Sequence, residues 1–91
     1  MKISCDPAKN DWNILHRGLN FYQADRFDFA NSIIGVDHRK DYSETRYQAV
    51  GNFNNRLHVL VFAETSDGIR VISFRKANSR EEKRYEKATQ S

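Results

Sequence analysis

The stretch Leu57-His58-Val59-Leu60-Val61-Phe62, followed by Ser66-Asp67-Gly68 and then by Ile69-Arg70-Val71-Ile72-Ser73-Phe74, decides the fold. In an extended chain successive side chains face opposite ways. Leu57, Val59 and Val61 then point to one side, and His58, Leu60 and Phe62 to the other. Both sides are mostly apolar, which marks a central strand covered on both faces. Asp67-Gly68 is a tight-turn signal, so residues 69–74 form the hairpin partner. Ile69 and Val71 share one face of it, and Ile72 and Phe74 the opposite one. Upstream, Phe53-Asn54-Asn55-Arg56 reads as a second hairpin connection, residues 45–51 as a strand of mixed character, and Ile33, Ile34 and Val36 as a short extended run. The polar residues 37–44 between them read as a loop.

Helices flank this block. Asp6 can cap free amides and Pro7 sits where a missing N–H costs nothing. Ala8, Trp12 and Leu15 then fall on one helical stripe, with Trp12 as the expected core anchor, and Gly18 is a natural stop. Asn20 can cap a second helix carrying Phe21, Ala24 and Phe27. Near the other end Ser79 with Glu82 makes a capping box, and Asn78 with Glu81 offers the same box one register earlier. The expected architecture is a single α+β domain over residues 1–91: two N-terminal helices, an antiparallel sheet of three to four strands, and a C-terminal helix.

Composition narrows the function. A chain of 91 residues that is 38% hydrophobic and 30% charged builds one modest core, not a multi-cofactor enzyme. No apolar run approaches the length of a membrane span, and the start has no apolar signal region. The single cysteine, Cys5, makes no internal disulfide, so the expected setting is a reducing cytoplasm. Residues 1–69 carry a net charge of −1 and residues 70–91 a net charge of +4. Such an uneven basic field steers polyanions, although a solvated helix face has the same composition.

His16, His38 and His58 match no zinc spacing, and no phosphate-cradling glycine loop, dinucleotide fingerprint or nucleophile elbow is present, so no metal or cofactor is expected. What remains is a set of Arg, Glu, His and Tyr residues on a sheet, which suits phosphodiester chemistry on RNA. That substrate brings its own nucleophile, the 2′-hydroxyl. The protein must supply a base, a cation for the phosphate and an acid for the leaving oxygen. Glu44 and Arg46, two apart in an extended segment, share a side, either as carboxylate and phosphate-binding cation or as a surface ion pair. Arg75, just after Phe74, sits near a strand end and joins Lys76 in concentrating positive charge; its planar fork suits phosphate. Arg70, between Ile69 and Val71, is structural or catalytic. His16 and Arg17 end the first helix, where the dipole favours positive charge and where His16 can also move protons. On the last helix, Arg80, Arg84 and Lys87 can line one side. Glu81 and Tyr85 share another, where Tyr85 either contacts RNA or packs the helix on the sheet.

Taken in order, these residues resemble the BrnT family of toxins from type II toxin–antitoxin systems. The family's Asp-Pro-x-Lys-x-x-x-Asn opening is present as Asp6, Pro7, Lys9 and Asn13. His16-Arg17-Gly18 stands at its Lys-His-Gly step, and Phe21-x-x-Ala24 follows. Glu44-x-Arg46 matches Gly-Glu-x-Arg with Ser43 in place of Gly. The run from Ile69 to Ala77 matches most specifically, and Glu81 and Tyr85 match the closing Glu-x-x-x-Tyr. The likeness covers residues 5 to 87. It implies a RelE-like fold and a metal-independent endoribonuclease that arrests translation. It also implies a ribbon-helix-helix, BrnA-like antitoxin as partner and contact with operator DNA only through that antitoxin. On this reading Glu44, Arg46, Arg75, His16, Arg70 and Glu81 are the catalytic candidates, and Arg17, Lys76, Arg80, Arg84 and Tyr85 the RNA-binding ones. Two of the departures from the family bear on the site. Arg17 stands where the family has His, which leaves His16 about 100° round the helix from that place. Phe74 replaces a small residue beside Arg75. The rival reading is a non-catalytic, antitoxin-binding co-repressor. A plain RNA-binding module ranks lower, because basic and aromatic residues are not interleaved as a stacking platform needs.

Overall fold

The computed structural model describes residues 1–90. A five-stranded sheet runs in the order β1-β5-β4-β3-β2, built from β1 (Lys2–Cys5), β2 (Ile33–Val36), β3 (Tyr47–Phe53), β4 (Arg56–Glu64) and β5 (Gly68–Lys76). Helices α1 (Pro7–Arg17) and α2 (Ser79–Thr89) and a 3-10 turn over Phe21–Arg26 complete the chain. The sheet thus has one strand more than expected. Strand β1 pairs parallel to β5, Ile3 opposite Ile69 and Cys5 opposite Val71. The second expected helix is only the short 3-10 turn, capped by Asn20.

The meander β2–β5 is antiparallel, as its turn signals imply. Asn54 and Asn55 take φ of 50° and 61°, a left-handed pair that Asn tolerates and that matches the twist of a two-residue hairpin. One irregularity redirects the sheet. Val61 pairs with Ser73 but Phe62 pairs with Val71, so Ile72 is an extra residue in β5. This bulge resets the alternation. Ile69, Val71 and Phe74 therefore all enter one core, together with Leu60 and Phe62, which corrects the expected split of Phe74 from Ile69 and Val71.

That core lies on one side of the sheet, closed by Leu19, Phe21, Ala24 and Phe27 from the segment after α1. The chain passes so close over β3 that a Cβ on Gly51 would sit 2.8 Å from Ser32 Cβ and 2.9 Å from Phe27 Cζ. His58 is buried on this side and its Nδ1 bonds the Arg56 carbonyl at 2.8 Å. Burial lowers its pKa by penalising the charged ring.

Helix α1 begins and ends as expected, with the Asp6 side chain accepting from the Ala8 N–H and Gly18 left-handed at φ 67°. Its orientation differs. The buried residues are Asn10 and Asn13, while Trp12 is 50% and Leu15 79% exposed. Trp12 is thus no core anchor. The reason is local: α1 lies where β1 has ended and β5 runs on, so it must satisfy backbone groups rather than cover apolar ones. Asn13 Nδ2 donates to the carbonyls of Phe74 at 2.9 Å and Leu19 at 3.0 Å, and Asn10 Oδ1 accepts from the Phe21 N–H at 2.8 Å.

Helix α2 starts through the Asn78–Glu81 box, not the Ser79–Glu82 one. It has no buried residue. Residues of its length line hollows with Ile33, Gln48 and Val50 and with Asn52 and Leu57, which places it over the non-core face of β2–β4. The Tyr85 hydroxyl holds it there by donating to the Asn31 carbonyl at 2.7 Å. No helix among the described residues is long and apolar enough to cross a membrane.

Candidate functional site

The site is the half of the non-core face that α2 leaves open. Pairing puts Arg70 opposite Ala63, and Ser73 and Arg75 opposite Val61 and Val59. Cross-strand partners share a face, so Arg70, Ser73 and Arg75 all stand on this side. Arg46 immediately precedes Tyr47, whose ring packs on the core, and alternation sends Arg46 to the same side as Arg70.

Two arginine–carboxylate pairs form here. Arg70 donates to Glu44 Oε1, and Arg46 Nε lies 3.7 Å from that same oxygen. Arg46 Nε is buried with no hydrogen-bond partner, while its guanidinium sits 4.0 Å over the Tyr42 ring. Glu44 is thus shared by two cations. The second pair is a fork: Arg75 donates from both terminal nitrogens to the two oxygens of Glu81, each at 2.8 Å. Glu81 Oε1 also accepts from the Asn78 N–H at 2.9 Å. The fork raises the pKa of Arg75 and lowers that of Glu81, because each charge stabilises the other.

The 37–46 loop, which supplies Glu44 and Arg46, carries a further ion pair. Asp37 is buried and takes a fork from Arg39 at 2.8 and 2.7 Å, which holds its carboxyl down at about 2. Arg39 lies near enough to Arg75 for the two charges to oppose one another. Arg39, Asp37 and Tyr42 escape sequence reading because loop residues carry no periodicity. The basic pair Arg39-Lys40 inside an otherwise acidic loop is the one signal that could have marked it.

The structure therefore places the candidates in two clusters on one face of the sheet, Glu44 with Arg46 and Arg70 and Arg75 with Glu81. It does not bring His16 to them: that ring lies tilted against Trp12, 4.5 Å between centroids. Arg17 instead reaches the sheet, donating to Ser73 Oγ at 3.3 Å. Lys76 pairs with His58 and so belongs to the core side. It does not reinforce Arg75, because β5 continues through Lys76 and alternation separates neighbours. Arg80 is exposed on the first turn of α2. Arg84 lines the hollow between α2 and β2–β3 with Ile33, Gly35 and Gln48, and Tyr85 serves to dock the helix.

Chemically, the face presents planar cations held in place by carboxylates. An arriving phosphate can replace a carboxylate on its arginine without rebuilding the site. Among the described residues no group of three or more His, Cys, Asp or Glu could hold a metal ion.

The sequence model of a family described as the ribonuclease toxin, BrnT, of type II toxin–antitoxin systems matches residues 5–81. No curated protein matches the chain.

Proposed function

Because this chain belongs to the BrnT family of ribonuclease toxins of type II toxin–antitoxin systems, we propose that it is a metal-independent endoribonuclease that arrests translation by cutting RNA on the face carrying Arg46, Arg70 and Arg75. The observation that carries this reading is the sharing of Glu44 between Arg70 and the unpartnered Nε of Arg46. A phosphate that engages these guanidinium groups competes with Glu44 and releases its carboxylate beside the bound nucleotide. Glu44 then takes the 2′-hydroxyl proton, the 2′-oxygen attacks phosphorus, and the bond to the 5′-oxygen breaks. The products are a 2′,3′-cyclic phosphate and a 5′-hydroxyl, the latter completed by a proton from solvent or a site acid. Arg75, fixed by Glu81, stabilises the charge gained on the phosphoryl oxygens. His16, held on α1 against Trp12, drops out as the base.

Membership of the family implies an antitoxin partner. We assign that role to a ribbon-helix-helix, BrnA-like protein that would also carry the contact with operator DNA. The positive excess of residues 70–91 suits an acidic segment of such a partner as well as RNA.

The test is cleavage of single-stranded RNA by the purified protein in EDTA, beside Arg46→Ala and Arg75→Lys proteins whose folding is checked by thermal melting. Cleavage by the wild type, products ending in 2′,3′-cyclic phosphate, and losses of about 100-fold or more in the variants are expected. Unchanged rates in both variants would remove the arginine face from the chemistry. Absence of cleavage by the folded wild type, with or without ribosomes, would leave the co-repressor reading.

A further inference from the structure

We propose that the cleft between α1 and the outer edge of β5 is a nucleotide subsite for single-stranded RNA, taking a phosphate on Lys9 and Arg17 and a base against Trp12. The proposal rests on the reading of the neighbouring arginine face as a ribonuclease site and extends it to the exposed aromatic on α1.

The cleft encloses about 210 Å³ and is lined by Lys9, Trp12, Asn13, Arg17, Ile72 and Ser73, with Phe21 at its floor. That volume suits one base, not a duplex. Trp12 is half exposed on the side of α1 that does not pack on the core, with the His16 ring against it at 4.5 Å, so core packing does not account for an indole there. Arg17 lies over it, 5.1 Å from guanidinium carbon to ring centroid, within the range of a cation–π contact. Together they make the kind of aromatic and guanidinium platform on which unpaired bases stack.

Arg17 is also held for a purpose other than charge pairing. Its NH1 donates to Asn13 Oδ1 at 3.2 Å and Ser73 Oγ at 3.3 Å, and Asn13 is itself pinned by two backbone carbonyls. Arg39, Arg46, Arg70 and Arg75 each lie within 4.0 Å of a carboxylate oxygen, but among the described residues neither Lys9 nor Arg17 does. Two cations without counter-charges beside an indole offer what a nucleotide needs: a phosphate site and a base site. The cleft also opens in the right direction. Ser73 stands two residues before Arg75 on the same side of β5, a separation of about 7 Å. The bulge at Ile72 is what brings Ser73 there, a placement such irregularities often serve beside reactive sites. A strand lying across Arg75 therefore continues over Ser73 into the cleft.

Trp12 is the chain's single tryptophan, so its emission reports this cleft alone. The experiment titrates the protein with a short single-stranded 2′-O-methyl RNA, which cannot be cleaved because the nucleophile is blocked. Binding is read in parallel by the anisotropy of an end-labelled copy. Saturable change in Trp12 emission at the concentrations where anisotropy rises is expected. Trp12→Ala and Lys9→Ala, both at exposed positions, should weaken binding about tenfold. Arg17→Ala should weaken it and reduce the emission change. Binding by anisotropy with unchanged Trp12 emission and wild-type affinity in Trp12→Ala would overturn the subsite while leaving the ribonuclease reading intact. No binding of the oligomer would overturn it too, and cleavage of unmodified RNA then decides separately whether that reading stands. Emission that responds to an antitoxin but not to RNA would assign the cleft to the protein partner and overturn the proposal.

Discussion

Glu81 shows how much one side chain carries in a chain this small. Its carboxylate closes the cap of α2 and grips Arg75 at the same time. The sequence offered both roles separately, the first by spacing to Asn78 and the second only as a supporting candidate. Their union depends on β5 ending directly before the helix. Glu44 and Arg46 were legible as a pair because residues two apart in extended chain share a side. Their third partner, Arg70, comes from 26 positions away, which no local pattern encodes. Asp37 was not legible at all, yet it ties Arg39 and Tyr42 together in the loop that carries Glu44 and Arg46. Its carboxyl is held at about 2 by Arg39, against about 3.9 in an unfolded chain. A depressed folded value means stability that is present above about pH 4 and lost as pH falls towards 2. Asp37→Asn should therefore flatten the acid limb of Tm against pH between 4 and 2. It should also cost about 1 kcal/mol at neutral pH, a modest figure because Arg39 is largely exposed. A Tm–pH curve parallel to that of the wild type would show that the fork does not contribute.

At the scale of elements, the meander was readable from alternation and turn chemistry, including the edge run Ile33–Val36, whereas the other edge strand, β1, was not. Strand β1, Lys-Ile-Ser-Cys, is too short and mixed to announce itself; it exists because β5 offers an unpaired edge and Gly68 lets it approach. A side chain at Gly68 would overlap the Lys2 carbonyl. Gly68→Ala should then cost about 3 kcal/mol by pushing β1 away. Hydrogen exchange at residues 2–5 should rise to the rate of the open chain, and unchanged protection there would contradict this account. The bulge at Ile72 hid for a different reason. It is fixed by pairing across β4, not by any residue that favours it, so strict alternation assigned Phe74 to the wrong face. For α1, the apolar stripe read from the sequence is real, but the helix turns it outward because its buried neighbours are backbone groups: the Phe74 and Leu19 carbonyls, which Asn13 satisfies, and the Phe21 N–H, which Asn10 satisfies.

Across the whole molecule, charge is laid out as a path. Arg46, Arg70 and Arg75 on the open face continue past Ser73 to Arg17 and Lys9. A strand that follows it meets cations at about three successive phosphates. Binding of uncleavable RNA should therefore fall with salt, with a slope of log K on log salt near about −2. A slope near zero in an anisotropy titration would mean that these cations do not meet phosphate. The layout has one more consequence, which lies in the order of synthesis. Ser4 and Ile69 touch across 65 positions, and β5 supplies Arg70, Ser73 and Arg75 as well as the seat for β1. Until the last quarter of the chain has been made, the nascent polypeptide holds the three strands β2–β4 and helix α1 but neither a closed sheet nor the arginine row. The topology thus makes closure of the sheet and assembly of the arginine row one late step, taken only after most of the chain has been made.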